Sequence, residues 1–179
     1  MRFFKPGLYM RYNSDDDVIA DRADGEWEKA IRAYKKHLET FSAQMNERVK
    51  SVAETLCLHD AEILSFQPGV PVHPFFQPPF SPGVATISLE SDGKIVNFFY
   101  ILWEEVGESP APRGWPFSPL RVHWLYDEID RVEAPWPSLY WHRILLSDGR
   151  VISIPFTDVI VNSFPRGDSR PVIATGRRA

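Results

Sequence analysis

Two short segments carry the residues best suited to chemistry. LCLHDAEIL (residues 56–64) places His59 beside Asp60, and HWLYDEID (123–130) places Asp127 beside Glu128. A third segment, YWHRILLSDGR, supplies His142. Histidine titrates near neutral pH and takes its orientation from a neighbouring carboxylate, so a convergence of these five side chains could hold a metal or a general base. The plainer reading of His59 is the end of a helix, where an imidazole meets free carbonyls, with Asp60 bonding backbone at the turn. Neighbours on a strand point to opposite faces, so His59 and Asp60 converge only if they lie in an irregular turn. His123 and Asp127 share a strand face but stand about 13 Å apart by strand rise, too far for one metal. Pairing of 120–132 with 139–146 would bring His142 near Glu128 or Asp130, an ordinary cross-strand contact as well as a base-orienting one.

Other motifs are weaker. Asn13, Asp15 and Asp17 match the first, third and fifth positions of a calcium loop, but Val18 stands where Gly is needed and Asp24 where Glu is needed. We read that run as helix capping by Ser14 and Asp17. Cys57 is the single cysteine, which excludes an internal disulfide and a thiolate cluster, and it reads as a small buried residue. The sequence contains no phosphate-binding Gly-rich loop, G-x-S-x-G elbow, H-E-x-x-H or C-x-x-C motif, so no cofactor or metal is expected.

The elements that must position these residues follow from periodicity. Residues 1–13 read as an extended lead-in. From Trp27 through Ile31, Tyr34, Leu38, Phe41, Met45, Val49 and Val52 to Leu56, apolar residues recur at threes and fours. That stripe predicts a long N-terminal helix over about 15–57, continuous or broken near Gly25. Beyond it the chain reads as strands only: 60–66, 84–90, 94–102, 120–132 with a bend near Asp127, 139–146, 150–156 and a short one at 159–162. Ser91-Asp92-Gly93 and Ser147-Asp148-Gly149 are hairpin signals. Helix first and strands after imply an α+β fold, with the helix packed on an antiparallel sheet of about five to seven strands.

Proline-rich stretches at 67–83 and 108–119 are loops, the first holding six of the 16 prolines. They carry Phe75, Phe76, Phe80, Trp115 and Phe117, and the APWPS turn carries Trp136. Either these aromatics cover the second face of strand 94–102 or they form a binding surface, since such residues are enriched at interface hot spots.

The 179 residues suggest one domain, 1–163, followed by a basic tail at 164–179. A net charge of -4 argues against nucleic acid as the main partner. The N-terminus lacks a signal-peptide pattern and no window is apolar enough for a membrane span, which leads us to expect a cytoplasmic protein. The helix stripe is nearly heptad from Trp27 to Met45, but Arg48 and Thr55 interrupt the seam, so a monomer or weak homodimer is expected.

Taken together, the His-Asp-Ala, Tyr-Asp-Glu and His-x-Ile-Leu-x-Ser-Asp-Gly segments resemble a family of uncharacterised bacterial α+β domains. The resemblance covers most of residues 1–161 and implies no activity. By analogy of style alone it is similar to immunity proteins. The expectation from the sequence is therefore a non-enzymatic protein-interaction module, of immunity or adaptor type. The alternative is a small metal-dependent hydrolase using the His/carboxylate cluster at one sheet end.

Overall fold

Apolar residues alternate along the strands, and that alternation finds its partner by closing the sheet on itself. The computed structural model describes residues 1–69, 83–133 and 138–167. Its seven strands are β1 (Ala61–Gln67), β2 (Val84–Ser91), β3 (Lys94–Leu102), β4 (Gly107–Ser109), β5 (His123–Val132), β6 (Leu139–Leu146) and β7 (Val151–Pro165). All pairings are antiparallel, in the order β3-β2-β1-β5-β6-β7-β4, and β3 also pairs with β7. Six strands thus make a closed barrel, with β4 as an extra strand on β7.

Closure covers one of the two apolar faces of β3. Val96, Phe98, Tyr100 and Leu102 are buried in the interior cluster, while Ile95, Phe99 and Ile101 alternate with them and are half-buried. The inner face of one strand is covered by the inner faces of the others, while Ile95, Phe99 and Ile101 form its outer face; the expected cover of that face by Phe75, Phe76 and Phe80 lies outside the described residues. β7 is one strand of 15 residues, longer than the two pieces its sequence suggests. Its first part pairs with β6 and β4 and its second with β3, with a register shift where Asp158 faces Ile101 and Phe156 faces Leu102. It also absorbs Phe164 and Pro165, which the sequence assigns to a tail.

The long helix is not one helix. Three helices precede the barrel: α1 (Pro6–Tyr12), α2 (Asp17–Glu39) and α3 (Glu47–Glu54). α1 occupies the supposed lead-in, with Pro6 at its start, where a missing N–H costs nothing. Asp16, rather than Ser14, caps α2, its Oδ1 accepting from Val18 N and Ile19 N at 2.9 and 3.2 Å. Gly25 faces open space and leaves α2 unbroken. The break falls at Phe41–Asn46, through a 3-10 turn at Ser42–Gln44 and an extended Met45. Asn46 then starts α3 by accepting from Val49 N at 2.9 Å.

The apolar stripe still does its work in two pieces. Leu38, Phe41, Met45, Val49 and Val52 join the barrel's interior cluster. Trp27 instead packs with Phe4, Leu8 and Ala23 in a second layer over the outside of β5. The chain between α2 and α3 caps the barrel end where β5 finishes and β6 begins: Gln44 bonds Arg131 and accepts from the Tyr140 hydroxyl, and Arg48 pairs with Asp158. No helix among the described residues is long and apolar enough to cross a membrane.

Candidate functional site: a carboxylate at the barrel slit

The weakest seam of the barrel decides where a site can form. β1 and β5 pair at Ala61–Trp124 and Glu62–His123, with flanking bonds from Asp60 N to Trp124 O and Ile63 N to Val122 O, and β5 from Leu125 onward has no register partner on β1. A strand edge exposed by such a split needs other partners for its amides. One is supplied by α2: Ile129 N donates to the Tyr34 hydroxyl at 2.7 Å. Burial, with Asp127 close by, pushes the Tyr34 phenol well above its ordinary range.

A bulge sits on β5 at this seam. Trp124 pairs with Leu146 and Tyr126 with Leu145, so Leu125 is the extra residue. A bulge adds a residue on one strand and changes which side chains face which side. Trp124 belongs to the interior cluster, whereas Leu125 and Tyr126 pack under the N-terminal layer. After the bulge Asp127 points inward and Glu128 outward.

Asp127 and His142 therefore meet, on the face opposite Glu128. His142 lies in phase with Tyr140, Ile144 and Leu146 on β6 and is 0% exposed. Its Nε2 is 3.0 Å from Asp127 Oδ2, and its Nδ1 is 2.9 Å from the Tyr100 hydroxyl. Trp124 Nε1 donates to Asp127 Oδ1 at 2.9 Å. Complete burial, with Asp127 nearby, holds the Tyr100 phenol well above its usual value, so it keeps its proton. Each ring nitrogen of His142 thus has one hydrogen-bond partner, the Tyr100 hydroxyl at Nδ1 and the Asp127 carboxylate at Nε2. The result is a four-residue chain of hydrogen bonds, sealed at Tyr100 and open at Asp127, whose side chain is 27% exposed.

The open end faces a cleft of about 570 Å³ between α2, α3, the turn after α3 and β5. Its walls are largely apolar, with Ile31, Leu38, Val52, Leu56 and Tyr126 among them. Lys35, Glu39, Glu54 and Asp127 supply its charge. Burial, with help from Tyr9, Tyr12 and Asp60, pushes the Tyr126 phenol up to about 12.

The other predicted residues fall elsewhere. His59 and Asp60 do not end a helix, because α3 stops at Glu54. They form an irregular turn in which Ala61 N donates to Leu58 O at 3.0 Å and Asp60 has φ of 67°. Aspartate tolerates that left-handed conformation better than most side chains. His59 Nδ1 is 2.7 Å from Asp60 Oδ2, and the imidazole stands edge-on to Tyr126 at 4.8 Å. His59 borders the same cleft as Asp127, yet no hydrogen bond or ion pair joins the two pairs among the described residues. Cys57 is exposed rather than buried.

Glu128 has a different task. It is 1% exposed, and its carboxylate accepts from the backbone of Arg2, Phe3 and Phe4, with Phe3 N at 2.8 Å. Arg143, its cross-strand partner, stands 3.8 Å away and also approaches Asp130. Arg143, not His142, is therefore the neighbour of Glu128 and Asp130. Asp130 in turn bonds His37 at 2.8 Å, which removes His37 from the free surface. The five residues of the hydrolase alternative thus divide into three places. No group of three or more His, Cys, Asp or Glu side chains among the described residues could hold a metal.

Of the aromatic binding candidates, Phe75, Phe76, Phe80 and Trp136 lie outside the described residues. Trp115 stacks on Tyr9 at 5.7 Å and donates to Ser147 O at 3.0 Å. It is thus tied down rather than presented. Phe117 stands edge-on to Tyr9 at 5.8 Å and stays 36% exposed.

Reasoning from sequence missed Tyr100 and Trp124 as members of the site. The alternation in YWHRILL put His142 in an apolar row, which signals an interior histidine needing partners. Which residues would partner it depended on closure and on the bulge. No protein-family model matches the chain, and no curated protein is found to be similar to it.

Proposed function

We propose that the chain is a non-enzymatic interaction module that seats a protein partner in the cleft between α2, α3 and β5. The observation carrying this reading is the cleft itself: a largely apolar surface of about 570 Å³ left open beside the barrel slit, with Leu56 at its edge 38% exposed. Concave, mostly apolar clefts with a few convergent polar groups are a general ligand-binding form, and apolar grooves also seat partner segments. The reading keeps the interaction role expected from sequence but moves it from the proline-rich loops to the helices. Chemistry on a substrate is less well served, because Tyr100 and His142 are sealed behind Asp127 and the His59–Asp60 pair at the cleft border makes no bond to Asp127 among the described residues.

The test compares proteins recovered by the tagged chain, by Leu56→Arg and by Leu64→Arg. Leu64 is exposed on β1 and does not line the cleft. A partner held by the wild type and by Leu64→Arg but lost with Leu56→Arg supports the reading. Identical recovery by all three removes it.

A further inference from the structure

We infer that the groove between α1 and α2 is a second docking surface, whose occupant is an acidic peptide segment of a partner, laid out in extended form with its carboxylates against Arg2, Lys5 and Lys29. The inference goes beyond the cleft reading and does not depend on it. Ala30 and Ala33 line the groove, whereas Ile31 and Lys35 line the cleft, so the two open on different faces of α2. The groove has a volume of about 610 Å³. Small residues create it: Gly7, Ala30 and Ala33 line it with little or no side chain, and a Cβ on Gly7 would meet open space. Phe3 and Leu8 supply an apolar floor.

Charge selects the sign of the occupant. The whole chain carries a net charge of -4, yet Arg2, Lys5, Arg11 and Lys29 line this groove against one carboxylate, Glu26. Glu26 is paired with Arg11, and Glu28, the next carboxylate along α2, is paired with Arg32. Glu128 lies beneath the N-terminal segment, 1% exposed and facing Arg143, and does not line the groove. Arg2, Lys5 and Lys29 are exposed and form no ion pair among the described residues. Unpaired charges of one sign around a concavity raise the local concentration of counter-ions.

Placement selects a chain over a single ion. Lys5 precedes α1 and Arg11 lies in its last turn, about 9 Å on by helical rise. Arg2 extends that row before the helix, and Lys29 stands on the opposite wall, on α2. A small tetrahedral anion suits groups that converge on one point, not cations spread along two walls. An extended peptide with acidic residues at alternate positions presents its carboxylates on one side about 7 Å apart, which follows such a row. Nucleic acid fits less well. The net charge opposes a long polyanion, and the aromatic that lines the groove, Phe3, is covered by the Arg2 guanidinium at 5.1 Å rather than open to a base.

The experiment uses the full chain labelled with ¹⁵N. The probes are acetyl-Glu-Ala-Glu-Ala-Glu-amide and its glutamine counterpart, which keeps the shape and lacks the charge. The Gly7, Leu8 and Ala33 amides report on the groove, and the Leu56 and Tyr126 amides report on the cleft. The expected result is that the Glu peptide shifts the groove signals and leaves the cleft signals still. It should bind about tenfold more tightly than the Gln peptide at low salt, as a few modest surface ion pairs together allow, and lose that advantage at high salt. Lys5→Glu/Lys29→Glu should abolish the difference, whereas Lys36→Glu/Lys94→Glu, an equal change in net charge at exposed sites outside the groove, should largely preserve it. Because the peptide pair is compared on the wild-type protein, the test survives a variant that folds poorly. Equal binding of the two peptides, or equal loss in both double variants, overturns the inference and leaves the cleft reading untouched. If inorganic phosphate shifts the same amides as fully as the Glu peptide at equal concentration, the groove takes a small anion and the peptide assignment falls. If a single-stranded oligothymidylate displaces the Glu peptide and binds more tightly, the partner is nucleic acid and the assignment falls as well.

Discussion

His142 Nε2 and Asp127 Oδ2 lie 3.0 Å apart inside a barrel whose other inward side chains are mostly apolar. Their Cα positions are not directly opposed, since His142 faces Ile129 and Asp127 faces Ile144. The contact is diagonal across β5 and β6, within reach for a long side chain. Buried polar groups cost free energy unless each is bonded, so this contact should govern the stability of the barrel. His142→Ala should strand the Tyr100 hydroxyl and leave a void, with a loss of about 2–4 kcal/mol in urea unfolding. Tyr100→Phe removes a single donor and should cost only about 1–2 kcal/mol. It should also free the imidazole to change tautomer, visible in the ¹⁵N shifts of His142. Equal losses for the two variants would show that the chain of bonds does not act as described.

Glu128 binds the N-terminal segment to β5. Replacing it with alanine leaves the amides of Arg2, Phe3 and Phe4 without their acceptor and Arg143 without a close carboxylate partner other than Asp130. A loss of roughly 2–4 kcal/mol is expected. Hydrogen exchange is the sharper check. The Phe3 amide should lose protection in Glu128→Ala while the barrel amides of Phe98 and Ile154 keep theirs.

Arg48 and Asp158 join α3 to β7 across the end of the barrel. Burial works to raise the Asp158 carboxyl, but bonds from Arg48, Val159 N and Asn46 outweigh it and hold it below its usual value. A carboxylate with a lowered folded value stabilises the fold above its unfolded value, and that contribution is lost as pH falls through the folded one. Arg48→Ala should therefore lower the melting temperature slightly at neutral pH. The gap between variant and wild type should close below about pH 4, the ordinary carboxylate range. A gap that widens in acid would contradict the assignment.

Tyr126 behaves in the opposite sense at alkaline pH. Its phenol is pushed up to about 12, against an unfolded value of about 10. Between those values the unfolded chain releases a proton that the folded chain retains. Stability linked to Tyr126 is therefore complete below about pH 10 and declines as pH rises toward 12. Spectrophotometric titration should show one fewer late-ionising tyrosine in Tyr126→Phe, provided the fold persists across that range.

Gly149 closes the β6–β7 hairpin with φ of +85°, and a Cβ there would meet Trp115 Cδ2 at 2.6 Å. Both the backbone and the neighbour oppose any side chain. Gly149→Ala should cost about 1–3 kcal/mol and displace Trp115 from Tyr9 and Ser147. Trp115 fluorescence, read in a variant background lacking exposed tryptophans, should shift to the red.

Local signals in the chain settled the elements that depend on neighbours in sequence. The continuous apolar run IVNFFYIL and the apolar row in YWHRILL determined β3 and β6, and two Ser-Asp-Gly turns determined their hairpins, because a short apolar run and a left-handed turn residue act within a few residues. The threes-and-fours stripe marked Trp27, Leu38, Val49 and Val52 as buried, but Ile31 and Tyr34 stay half-buried and Leu56 lies exposed beyond α3. It did not reveal the interruption at Phe41–Asn46, since a turn of the right length leaves the stripe almost in phase, although Asn46 was a readable cap. α1 was hidden because seven residues give too short a period to recognise.

Only the tertiary structure decided the rest. Closure of β3 onto β7 joins strands more than 50 residues apart in the sequence, and no local pattern distinguishes a closed sheet from an open one covered by helices. The one-residue bulge at Leu125 turned Asp127 inward and Glu128 outward. HWLYDEID contains both carboxylates side by side, and nothing in it says which will join His142 and which will hold the N-terminal segment. That choice follows from the phase of β5 against β6, which is fixed by the packing of Trp124, Leu125 and Tyr126 on two different layers.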